Sequence, residues 1–132
     1  MENNDQVQLI LQSFPLHEEV AQTTIAHLGL RSGFSLKEIE NLRSVMEATT
    51  KMFLAIRTWE KPLHVNFQIS QKKMQVTVTS QTTKSLDSIG DHLGEFETFM
   101  LPKVENLVVN SEKSWVVSVS YTHLTLPTIY SV

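Results

Sequence analysis

The chain has 132 residues, enough for one domain with its own core. Apolar residues make up 41% and charged residues 19%, which excludes a disordered chain. A net charge of −3 supplies no basic field for nucleic acid, and the absence of cysteine excludes disulfides, thiol catalysis and zinc ribbons.

The opening MENNDQVQLI is polar and acidic, without the apolar centre of a signal peptide. No apolar run approaches the roughly 18 residues of a membrane span. The expectation is a cytoplasmic protein that binds neither membrane nor nucleic acid. Residues 7–14, VQLILQSF, read as a first, edge strand, and Pro15 stops it and can open a helix. Residues 16–28 carry Leu16, Val20, Ala21, Thr24, Ile25 and Leu28 at helical spacing, with Gly29 and Gly33 about the helix end.

The second helix has the clearest start. Ser35 and Glu38 form a capping box, in which hydroxyl and carboxylate each take a free backbone N–H, with Phe34 and Ile39 as a hydrophobic staple. Ile39, Leu42, Met46, Phe53 and Ile56 then run along one face, flanked by Val45 and Met52, and the helix should reach about Trp59, before Pro62.

The period then changes from helical to alternating. Leu63, Val65, Phe67 and Ile69 alternate with polar residues, and Met74, Val76 and Val78 do the same after a polar turn. That pattern is an antiparallel hairpin with one face buried and one wet. Residues 81–92 read as loop, 93–101 as a short helix ended near Pro102, and two strands follow, at 105–109 and from 114 onward. Helices covering one face of a mainly antiparallel sheet make a two-layer α+β sandwich.

The end of the chain, VSYTHLTLPT, can be back-translated as GTC TCT TAT ACA CAT CTG ACG CTG CCG ACG. This string resembles one frame of a transposase adaptor used to prepare short-read libraries. The expected division is therefore a domain at 1–118 and a non-native tail at 119–132, which is left out of functional argument. An uninterrupted genomic read through these codons would contradict that division.

The stretch GFSLKEIENLRSVMEATTKMF resembles the small anti-sigma-factor serine/threonine kinases of the histidine-kinase-like ATPase fold. Gly33, Phe34, Ser35, Ile39 and Leu42 match the lead into the motif helix, and Glu47-Ala48 match the first half of its Glu-Ala-x-x-Asn motif. The closing MLPKVENLVVNSEKSWVVSVS is similar to the family's last helix and strand pair. The resemblance covers residues 7–118 and implies a bacterial transcription regulator. Such a domain uses ATP and Mg²⁺, pairs with a sigma factor or an anti-anti-sigma protein, and can form a homodimer.

In that family the glutamate positions the reacting group, and the asparagine four residues on helps to hold Mg²⁺. Here Glu47 takes the catalytic place and Lys51 the ligand's place. An ammonium has donors only and cannot ligate a cation, whereas magnesium wants hard oxygen ligands. Glu47 and Lys51 are equally an i,i+4 surface pair, with Arg43 on the same face. The acid that recognises adenine in the family falls on Ser80, and Gln81-Thr82-Thr83-Lys84 after it has no glycine.

The phosphate lid falls on SLDSIGDHLGEFE, which keeps Gly90 and Gly94 among Asp87, Asp91, Glu95 and Glu97. Carboxylates there oppose a polyphosphate, which wants donors and positive helix ends. Glu47, Lys51, Ser80, Gly90 and Gly94 are thus the candidate nucleotide positions, in degenerate form. The expected function is protein binding with ATP and Mg²⁺ binding weak or lost, and no cofactor. Two alternatives stay open: an active kinase with Glu47 as its base, and an unrelated α+β domain. Neither the histidines, which lack metal-site spacing, nor any Walker or nucleophile-elbow motif offers other chemistry.

Overall fold

A computed structural model describes residues 5–12, 15–55, 62–70, 73–80, 89–110 and 115–122. The elements run β1 (Asp5–Leu11), α1 (Pro15–Arg31), α2 (Leu36–Ala55), β2 (Leu63–Ser70), β3 (Lys73–Ser80), α3 (Ile89–Met100), β4 (Asn106–Asn110) and β5 (Trp115–Thr122). The strands form one sheet in the order β1-β2-β3-β5-β4, with every neighbouring pair antiparallel. The fold is a two-layer α+β sandwich, with the three helices on one face of the five-stranded sheet.

Register explains how alternation becomes a core. Val7, Phe67, Val76 and Val119 line up across β1, β2, β3 and β5, and Leu9, Val65, Val78 and Val117 form the next inward row. These rows meet Leu42, Val45, Met46, Met52 and Phe53 of α2 and Phe96 and Met100 of α3 in one apolar cluster. The residues between them face water, since side chains alternate along a strand.

The turn between α1 and α2 follows from two glycines with different jobs. Gly33 has φ +86°, a left-handed conformation that glycine adopts without strain. Phe34 N–H donates to the Gly29 carbonyl at 3.0 Å and Gly33 N–H to that of Leu30 at 3.2 Å, a Schellman end to α1. Gly29 lies inside the helix, where an added Cβ would come within 3.3 Å of Leu42 Cδ1. With Ala21 and Ile25 it forms the buried stripe of α1. Small residues there let α1 approach α2 closely. That leaves Leu16 and Val20, expected on the apolar face, 66% and 40% exposed.

The capping box forms in both directions. Glu38 N–H donates to Ser35 Oγ at 3.2 Å, and Ser35 N–H donates to Glu38 Oε1 at 2.9 Å. Ser35→Ala is expected to lower stability by about 1 kcal/mol, read as a shift in the urea midpoint without a change in slope.

α2 is described to Ala55, so its predicted end at Trp59 lies outside the described residues. The last helix differs from expectation: α3 starts at Ile89, inside the stretch 81–92 read as loop. Residues 81–88 lie outside the described residues. β5 runs to Thr122, past residue 118, because Val117, Val119 and Tyr121 continue the inward alternation. Tyr121 donates its hydroxyl to Glu38 Oε2 at 3.1 Å. Burial, then the Glu38 charge and this hydrogen bond, pushes its phenol up to about 12. Alternation suffices for that pairing whatever the origin of these codons, so it carries no functional argument. No described helix is long and apolar enough to cross a membrane.

Candidate functional site

The motif residues lie on the middle of α2, a helix held on both sides by its neighbours. Its buried face carries Thr49 and Thr50, 2% and 1% exposed. Their hydroxyls donate back along the helix: Thr49 to the Val45 carbonyl at 2.8 Å, Thr50 to those of Met46 at 3.2 Å and Glu47 at 3.0 Å. The two threonines of Glu47-Ala48-Thr49-Thr50-Lys51 are therefore structural. Burial of threonine is tolerated there because the helix backbone satisfies each hydroxyl.

Glu47 and Lys51 point outward and pair with each other. Lys51 Nζ lies 3.2 Å from Glu47 Oε1, with side-chain exposures of 66% for Lys51 and 49% for Glu47. In water such a pair contributes little, because solvent screens the charges and two long side chains must be ordered. A double-mutant cycle on Glu47→Ala and Lys51→Ala is expected to give a coupling of about 0.5 kcal/mol or less, measured by urea unfolding.

Lys51 also borders a groove of about 230 Å³ between α2 and α3, lined by Ala48, Lys51, Met52, Ala55, Glu95 and Phe96. Glu47 borders a separate hollow, of about 310 Å³, with Gln22 of α1 and Glu40, Arg43 and Ser44 of α2. Ser80, at the end of β3, is fully buried beside Leu63 and Trp115 in the strand register. The inward assignment of Ser80 from alternation holds. Among the described residues neither groove is lined by Ser80.

Gly90 and Gly94 both lie within α3. A Cβ on Gly94 would meet nothing within 4 Å, so close packing does not require glycine there. Gly94 lies in the helix interior, where backbone N–H groups are taken up by the helix's own carbonyls, so it adds no amide to an open phosphate-cradling loop, whereas Gly90 lies in the first turn. Glu95, which lines the α2–α3 groove, adds negative charge on that side. Sequence reasoning placed Glu95 near the lid but missed Phe96 as a partner of the motif helix. The signal was present in Leu93, Phe96 and Met100, spaced for one helical face.

Among the described residues no cluster of three or more His, Asp or Glu side chains is placed to hold a metal ion. No family model matches the chain, and comparison with curated proteins gives no match.

Proposed function

We propose that this chain is a regulatory domain of the anti-sigma-factor type that acts by binding a protein, with the family's Mg-ATP chemistry weak or lost. The element order supports the family reading: a strand, two helices, a hairpin, a helix and a strand pair is the order the resemblance implies. A shared fold hosts unrelated functions, so the partner class, a sigma factor or an anti-anti-sigma protein in the cytoplasm, rests on the resemblance alone.

The loss of chemistry rests on one observation. At the place of the metal-binding asparagine stands Lys51, and its ammonium is engaged with the carboxylate of Glu47. A magnesium ion there would meet a positive charge in place of an oxygen ligand. Burial of Ser80 where the family carries an acid acts in the same direction, since a hydroxyl binds an adenine amino group less strongly than a carboxylate.

The test is incubation with γ-labelled ATP, Mg²⁺ and each anti-anti-sigma protein and sigma factor encoded in the source genome. The expected outcome is a stable complex with one of them and no labelled phosphoserine. Transfer of label would establish the kinase alternative, and failure to bind any of these proteins would contradict the regulatory reading.

A further inference from the structure

We propose that the outer edge of β4 takes an extended segment of a partner protein as a sixth, antiparallel strand, an inference that rests on the protein-binding reading above. β4 stands last in the sheet order, and among the described residues β5 is the one strand beside it. In an antiparallel ladder successive residues turn their N–H and C=O groups to opposite sides. Along residues 106–109 every second residue therefore points these groups away from β5. Such a row is a template for a further strand.

The chemistry of the edge selects its occupant. Main-chain donors and acceptors at strand spacing recognise another extended main chain, and the side chains beside them set its pattern. Leu107 continues the inward row of Val76 and Val119, and Val109 that of Val78 and Val117. Those four valines are at most 5% exposed, whereas Leu107 and Val109 are only partly buried. A strand with apolar side chains at alternate positions would extend both rows and cover their open ends.

Natural sheets guard an open edge with charge or proline. Asn106, Leu107, Val108 and Val109 supply neither. Glu105, just before them, is turned to β5: its N–H donates to the Ser120 carbonyl, and its carboxylate accepts the Thr122 hydroxyl. β1, the opposite edge, does carry a carboxylate, Asp5, with Glu2 before it in the sequence. Its far end is also tied to α1, where Gln12 N–H donates to His17 Nδ1 at 2.8 Å. The unguarded edge is thus that of β4, and the segment that fits it is uncharged and alternates apolar with small polar residues.

NMR of the full chain labelled with ¹⁵N tests this, with a blocked seven-residue peptide of alternating valine and threonine as the probe. Saturable amide shifts, largest at residues 106–109, are expected, with a dissociation constant on the order of 1 mM, since each exposed main-chain hydrogen bond adds little net. N-methylation of every second peptide residue removes the N–H donors of one side of the strand. One of the two methylated sets should bind at least about tenfold more weakly, and the other less than about threefold more weakly. A peptide of the same composition with its valines grouped should also lose at least about tenfold. No shift up to about 5 mM peptide overturns the proposal, as do shifts centred away from β4 or equal losses from both methylated sets. Shifts of β4 that follow protein concentration alone mark a second copy at the edge and overturn it too. The probe is independent of the family reading: docking supports the edge even if no sigma factor or anti-anti-sigma protein binds, and its absence overturns the edge even if one does.

Discussion

Replacing Ser80 by aspartate is expected to destabilise the fold by on the order of 3 kcal/mol at neutral pH. Ser80 is fully buried on the inward side of β3, in register with Leu63 on one side and Trp115 on the other. A carboxylate placed there must either stay charged in a poor solvent or take up a proton, and both states are unfavourable relative to serine. The two are separable by pH. Burial raises the pKa of an acid in the folded state above its unfolded value, so the folded form binds more protons. Stability of the variant, relative to the parent, then falls as pH rises through that interval. Urea unfolding at pH 4.5 and pH 7.5 should show the smaller loss at the lower pH. An equal loss at both pH values would mean that crowding by the larger side chain, and not charge burial, dominates.

Phe53→Ala should lower stability by about 3–5 kcal/mol, the usual range for removing a buried phenylalanine. Phe53 is fully buried on α2, in the cluster that joins that helix to the sheet rows of Val65 and Phe67. Removing its ring loses apolar burial and leaves a cavity between layers that can close only if α2 shifts. A domain of this size is stable by about 5–15 kcal/mol, so the variant is expected to be partly unfolded near body temperature. Phe99, 39% exposed on α3, provides the comparison. Phe99→Ala should lose less, about 1–2 kcal/mol, because more than a third of the residue already meets solvent and it gives up, besides partial apolar burial, the Lys103 ammonium 4.0 Å from its ring. Urea midpoints for the two variants, at unchanged slope, check the pair.

Most of the fold was legible because its signals are local. Ser35 and Glu38 announce the start of α2, Gly33 the end of α1, and strict alternation gives both faces of the hairpin. What was not legible depends on the neighbouring element. Gly90 and Gly94 weaken helix propensity, so the first turn of α3 read as loop, yet Phe96 and Met100 dock on the core and hold the helix there. Leu16 and Val20 look apolar enough to be buried, but α1 turns its small residues, Ala21 and Gly29, inward.

The candidate site was legible in part. Spacing alone paired Glu47 with Lys51, and alternation alone turned Ser80 inward. Spacing could not show that Lys51 and Glu47 border different hollows, since that depends on where α1 and α3 pack against α2. Nor could it show that Thr49 and Thr50 close their hydroxyls on their own helix.

The proposal above is a protein-binding domain in which Mg-ATP binding is weak or lost. Equilibrium titration with a fluorescent ATP analogue, with and without Mg²⁺, tests it most directly. No saturable binding at micromolar concentrations and no enhancement by Mg²⁺ are expected. Saturable micromolar binding that strengthens with Mg²⁺ would contradict it.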